Sequence, residues 1–157
     1  MGGGWKQTFM AGIAARVGVM NETMEAIIIE TILFYYPMVQ GIYLFGSYGA
    51  GQERPDSDLD IALLLPPEVA KGEKNLILSE GRFALEEALH REVDLLNARQ
   101  VSTVMQKEII GGRVIYSPDR LAVDEFEMLV LSYYQKLNEE RKDILESFRK
   151  TKRAYAV

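Results

Sequence analysis

In the run GIYLFGSYGAGQERPDSDLDIALLL, a Gly46-Ser47 turn leaves one apolar segment, and Ser57-Asp58-Leu59-Asp60 enters the next. Glycine suits a point where the backbone must turn sharply and come close to something. A helical turn starting at Ser47 presents free N–H groups and a hydroxyl to a phosphate oxygen. Asp58 and Asp60 are two apart in a β-prone run, so both carboxylates leave the same face of one strand. Two acids so close repel each other unless a divalent cation lies between them and a nucleotide's phosphates. Mg²⁺ is the fitting ion, being hard, oxygen-seeking and content with a few carboxylates plus phosphates. The D-x-D alone reads better as a polar turn before a strand; its company with the Gly-Ser turn makes it a phosphate and metal site.

Those residues need a scaffold, and the hydrophobic pattern supplies an alternating α/β one. Met24, Ile27, Ile28, Thr31, Ile32 and Tyr35 recur at helical spacing, with Asn21 as the expected N-cap and Pro37 as the stop. Strands are expected at Ile42 to Phe45 and Asp58 to Leu65, with a break at Pro66-Pro67. A helix is expected from Asn75 to Leu89, burying Leu76, Leu78, Phe83, Leu85 and Leu89, although Gly81 weakens its middle. A strand around Val93, a helix from Val101 to Ile110 capped by Gly111 and Gly112, and a strand from Arg113 to Tyr116 follow. From Asp124 to about Lys152 one long amphipathic helix carries Phe126, Val130, Tyr133, Leu137, Ile144 and Phe148 as a stripe interrupted at Glu140. Glu139 to Asp143 form a solvated, mixed-charge face, and Lys150, Lys152 and Arg153 suit the negative end of the helix. That helix is longer than a small sheet covers, so Tyr133 and Tyr134 either pack on the sheet or meet another protein.

Composition bounds the function. The 157 residues, 48% of them apolar, suffice for one domain with its own core. The expected division is a flexible or helical leader over residues 1–20 and a single domain over 21–157. Trp5, Phe9, Ile13 and Val17 recur every four residues and suggest a helix in the leader, against which Gly12 and Gly18 argue. Lys6 stands where an N-terminal acylation signal needs Ser or Thr. With no cysteine there is neither a disulfide frame nor a zinc-thiolate site, which fits a cytoplasmic location. A net charge of −5 suits no direct nucleic-acid partner, and the apolar runs are too short to span a membrane. His90, the single histidine, falls at an expected helix end and is read as a helix-terminus residue rather than a site residue.

The segment GSYGAGQERPDSDLDIALLL resembles the G-S-x-x-x-G…S-D-x-D signature of minimal nucleotidyltransferases (MNT), within the polymerase-β-like superfamily. The resemblance implies a small mixed sheet flanked by helices, ending here in a long C-terminal helix. It also implies a third carboxylate on a neighbouring strand in a V-D-L context, which Asp94 in Arg91-Glu92-Val93-Asp94-Leu95-Leu96 matches. The likeness extends over roughly residues 22–150. By the same resemblance Asp58, Asp60 and Asp94 are the catalytic and metal-holding residues for two Mg²⁺ ions. Gly46, Ser47 and Ser57 are then the nucleotide-binding positions, and ATP is the donor. One departure stands out: where the family commonly reads G-S-x-A-R-G, Ala50 occupies the arginine's place, with Arg54 nearby. A chain this short is similar to the antitoxins of HEPN/MNT toxin-antitoxin pairs, in which the MNT protein transfers AMP from ATP to a tyrosine of the HEPN RNase toxin. Two rival expectations are a small-molecule nucleotidyltransferase of the aminoglycoside-modifying kind and an antitoxin that neutralises by binding alone.

Overall fold

The computed structural model describes residues 20–46, 58–73 and 76–155. Strand β1 (Gly41–Phe45) lies between two antiparallel neighbours, β2 (Leu59–Leu64) and β4 (Arg113–Tyr116). Strand β3 (Val93–Asn97) joins β2 in parallel, giving the order β3-β2-β1-β4. Around this mixed sheet run α1 (Met20–Tyr35), α2 (Pro67–Ala70), a 3-10 turn (Leu76–Leu78), α3 (Glu80–Leu89), α4 (Thr103–Ile110) and α5 (Arg120–Tyr155).

The strands read as nearly unbroken apolar runs because both faces of the sheet are covered. Ile42, Leu44, Leu59, Ile61, Leu63, Val93 and Leu95 point to one side, where they form a core with Ile28, Ile32 and Tyr36 at α1 and Leu85 of α3. The alternate residues Tyr43, Phe45, Ala62 and Leu64 point to the other, against Ile109 of α4 and Val123, Phe126 and Val130 of α5. Tyr43 is fully buried, and its hydroxyl donates to Glu127 Oε1 at 3.1 Å; burial, followed by that nearby carboxylate, pushes its pKa up. Where β2 ends, Arg99 ties the sheet together: its Nε donates to the Leu65 carbonyl at 2.6 Å and its Nη2 to Gln40 Oε1 at 2.8 Å. Among the described residues, no helix is long and apolar enough to cross a membrane.

Several boundaries differ from the sequence expectation for local reasons. Met20 is already helical, so Asn21 lies inside α1 rather than capping it. Strand β2 is one residue shorter at each end than Asp58 to Leu65. The Pro66-Pro67 break is the start of α2, because Pro67 falls at the first helical positions, where a missing N–H costs nothing. The expected helix over 75–89 divides at Ser79, whose Oγ accepts from the Arg82 N–H at 3.2 Å and caps α3. Leu78, at the end of the separate 3-10 turn, and Phe83, in the rephased α3, are exposed at 70% and 51%, while Leu76 and Leu85 are buried as expected. Ser102 likewise caps α4, which therefore begins at Thr103 instead of Val101. His90 ends α3 in the left-handed region, φ 52°, its N–H bonded to the Glu86 carbonyl.

The long helix begins at Arg120, not Asp124, since Asp119 Oδ1 accepts from the Ala122 N–H at 3.1 Å and supplies the cap. Its first turns bury Val123, Phe126 and Val130, after which the helix outruns the sheet. Tyr133, Ile144 and Phe148 of the expected stripe are exposed, while Tyr134 is half-buried with Lys107 Nζ 5.6 Å from its ring centre. The Trp5, Phe9, Ile13 and Val17 pattern lies outside the described residues.

Gly111 does end α4, but in right-handed geometry, so it is not the left-handed cap that glycine favours. Gly112 is there for a different reason. A Cβ on it would meet the Leu44 carbonyl and come within 2.8 Å of Phe45 Cα, so only glycine lets the chain enter β4 against the end of β1. Gly112→Ala is therefore expected to destabilise the protein by about 1–3 kcal/mol in urea melts, whereas Gly72→Ala, whose Cβ meets nothing closer than 3.6 Å, shifts stability by no more than about 0.5 kcal/mol. Equal effects at the two positions would contradict the close-approach role of Gly112.

Candidate functional site

Asp60 is the acidic residue in the otherwise apolar strand β2, and the strand's two-residue period sends it to the same side as Ala62 and Leu64. Its register partner on β3 is Asp94 and its partner on β1 is Phe45. In a parallel pair, side chains at register partners leave the same face, so two carboxylates from sequence-distant strands stand next to each other. Asp58, exposed, precedes β2 by one residue. The three acids thus gather where β1 ends and β2 and β3 begin. Asp60 is half-buried, and Asp94 is exposed.

Gly46 closes β1 with φ +68°, a left-handed conformation that strongly favours glycine. A Cβ there would lie 3.2 Å from Asp60 Cγ and closer still to one of its oxygens. The sequence expectation that this glycine marks a sharp turn and a close approach is met, and the group approached is the Asp60 carboxylate. A side chain at position 46 would push that carboxylate from its place beside Asp94.

Burial pushes the pKa of Asp60 from the ordinary 3.8 up to about 6; the Asp94 charge, a hydrogen bond to Asp94 and the Asp58 charge add to the rise. The direction is that of acids crowded together without a compensating cation. The donor chemistry fits a hard divalent ion: carboxylate oxygens converge from two strands, and Asp58 stands at the margin. Among the described residues no three His, Cys, Asp or Glu side chains form a ready-made metal cage. An open set of this kind suits Mg²⁺, which retains places for phosphate oxygens and water.

Ser47 and Ser57, together with Ala50 and Arg54, lie outside the described residues. Two further residues at this end of the sheet carried no motif: Gly112, which makes room for the end of β1, and Arg113, which forms an ion pair with Glu25 of α1. Glycine after a helix was legible as punctuation, but its partner across the sheet was not. A shallow groove of about 410 Å³ runs along α5, lined by Leu131, Tyr134, Asn138 and Lys142 among others. It holds none of the three aspartates. The acids are the candidate site, because crowded carboxylates need a chemical explanation and an open groove along a helix does not.

A mixed sheet with acids paired at the start of two adjacent strands is the arrangement of a nucleotidyltransferase. Residues 28–121 match the family model described as polymerase beta, nucleotidyltransferase, and the chain belongs to that family. It is 33% identical over 129 residues to the protein adenylyltransferase MntA of Shewanella oneidensis, covering 81% of this chain and 88% of that protein. A crystal structure of a toxin-antitoxin with AMP-PNP contains a chain of 30% identity and TM-score 0.62, covering 78% of this chain and 96% of the other. A structure of the tri-AMPylated Shewanella oneidensis HEPN toxin in complex with MNT antitoxin matches at 28% identity and TM-score 0.61, over 82% and 98% of the respective chains.

Between about pH 4 and pH 6, folded Asp60 keeps a proton that the unfolded chain has released, so this group lowers stability as pH rises through that window. In metal-free protein, Asp60→Asn is expected to raise the melting temperature at pH 7 and to flatten its fall between pH 4 and 6. A lower melting temperature at pH 7, or an unchanged slope, would show that Asp60 carries no such strain.

Proposed function

We propose that this chain is the antitoxin of a HEPN/MNT toxin-antitoxin pair, a cytoplasmic Mg²⁺-dependent protein adenylyltransferase that moves AMP from ATP to a tyrosine of the HEPN RNase toxin. The observation that carries the reading is the pairing of Asp60 with Asp94 across β2 and β3, with the Asp60 pKa raised. The choice of acceptor is supported by the relatives: MntA is a named protein adenylyltransferase, and a solved neighbour holds an AMPylated HEPN toxin. The exposed Tyr133, Ile144 and Phe148 on α5 favour a protein acceptor over an aminoglycoside-like one, because they offer an apolar surface outside the domain core.

Asp58 and Asp60 would hold one Mg²⁺ on the triphosphate, and Asp60 and Asp94 a second at the acceptor oxygen. Bound there, the ions neutralise the acids, orient the phosphates and acidify the acceptor hydroxyl. Gly46, lacking a side chain, leaves the Asp60 carboxylate in its place, and Ser47 and Ser57 would donate hydrogen bonds to the phosphate oxygens. Asp94 takes the proton from the tyrosine hydroxyl. The phenolic oxygen bonds to the α-phosphorus, the α–β anhydride bond breaks in line, and pyrophosphate leaves.

The test is incubation of the purified chain with labelled ATP, Mg²⁺ and a HEPN RNase. Label is expected on a toxin tyrosine, absent with Asp58→Asn combined with Asp60→Asn. Asp94→Ala is expected to lower turnover about a hundredfold or more while ATP binding is largely kept. A stable complex without label transfer would favour the binding-only antitoxin, and label on a small molecule alone would overturn the antitoxin reading.

A further inference from the structure

We infer that Arg82 and Glu86 of α3 are positioning residues for Asp94, gripping the first residue of β3 so that the Asp94 carboxyl stays beside Asp60. The inference rests on the placing of Asp94 at the reacting site. Strand β3 is an edge of the sheet, so half of its backbone groups have no strand to pair with. The Leu59 N–H donates to the Glu92 carbonyl at 3.0 Å, which sets the phase of the parallel ladder. In that phase the backbone groups of Asp94 turn toward β2 and those of Val93 turn outward.

Arg82 and Glu86 take the place of the missing strand at that one residue. The Val93 N–H donates to Glu86 Oε1 at 3.1 Å, and Arg82 Nε donates to the Val93 carbonyl at 2.8 Å. Arg82 Nη2 and the same Glu86 oxygen are 2.9 Å apart, so each side chain fixes the other. Both are half-buried, and the Val93 side chain is fully buried beneath them. The grip therefore holds Val93 by its N–H and its carbonyl while the core holds its side chain, with Asp94 as the next residue on the opposite face.

The other end of β3 has its own anchor. Asn97 Nδ2 donates to the carbonyls of Ala70 at 3.1 Å and Glu73 at 3.0 Å, and its Oδ1 accepts from the Arg99 N–H at 3.3 Å. Loss of the Arg82 and Glu86 grip thus frees the Asp94 end of the strand and leaves the Asn97 end in place. A residue that merely contributed to overall stability would loosen both ends together.

Glu86→Leu removes the acceptor with similar bulk, Glu86→Gln keeps an oxygen for the Val93 N–H, and Arg82→Met removes the carbonyl's donor together with the ion pair to Glu86. Amide hydrogen exchange is expected to speed up at least about tenfold at Val93 in Glu86→Leu, with Ala98, whose N–H donates to the Leu63 carbonyl at 3.0 Å at the anchored end, unchanged. Mn²⁺, used as a probe in the absence of nucleotide, is expected to bind about tenfold more weakly to Glu86→Leu and to Arg82→Met, and near normally to Glu86→Gln. In the transfer assay the same two variants are expected to lose about tenfold in kcat with little change in KM for ATP. Unchanged Val93 exchange in Glu86→Leu, or Mn²⁺ affinity equal in the Leu and Gln variants, would overturn the positioning role. Should wild-type protein transfer no AMP, the functional proposal fails, and the exchange and Mn²⁺ measurements still decide whether the grip exists.

Discussion

The mutual repulsion of Asp60 and Asp94 is the constraint around which this fold is arranged. The two acids are register partners on adjacent strands, and Asp60 is pressed toward a core where its charged form is disfavoured. A chain selected for stability alone would place an apolar residue at position 60, as it does at 59, 61, 62, 63 and 64. Strain kept in place by the surrounding structure is a mark of a working site. In the proposed function, the ion and phosphates of a nucleotide would convert this repulsion into binding.

The rest of the molecule holds the acids against that repulsion. The sheet is sealed on both faces, so β2 cannot slide by one residue without turning Asp60 into the core of α1 and α3 and its apolar neighbours away from it. Gly46 lets β1 end beside the Asp60 carboxylate, and Gly112 lets β4 enter flush against that same strand end. Arg99 and Asn97 fasten the far end of the sheet with hydrogen bonds to Leu65 just after β2, to α2 and to the segment that follows it. Helix α5 closes one face with its first turns and then leaves the domain, so one element serves both the core and the exposed apolar surface.

Much of this was legible in the sequence because the signals were local. Gly46, Asp58 and Asp60 lie close together in one chain segment, and the start of β4 follows from the glycine pair Gly111-Gly112 before it. Asp94 was reached through resemblance, since nothing in the spacing of residues 60 and 94 says that they are register partners. Three of the misplaced helix starts share a cause: Ser79, Ser102 and Asp119 each cap a helix through one side-chain bond, and a cap moves the phase of everything after it. Phe83 faces outward for that reason, and Leu78 faces outward because it ends the 3-10 turn ahead of the Ser79 cap instead of lying in one continuous helix. The grip of Arg82 and Glu86 on Val93 was invisible, because an i,i+4 ion pair on a helix ordinarily reads as surface chemistry.

The most direct test of the central claim is the number of protons released when a divalent ion binds the nucleotide-free protein, measured by titration calorimetry in buffers of different ionisation enthalpy. With the Asp60 pKa at about 6, Mg²⁺ or Mn²⁺ added at pH 6 should displace about half a proton per ion. The release should vanish at pH 8 and in Asp60→Asn. Ion binding without proton release at pH 6, or release that persists in Asp60→Asn, would show that the strained pair is not where the metal binds.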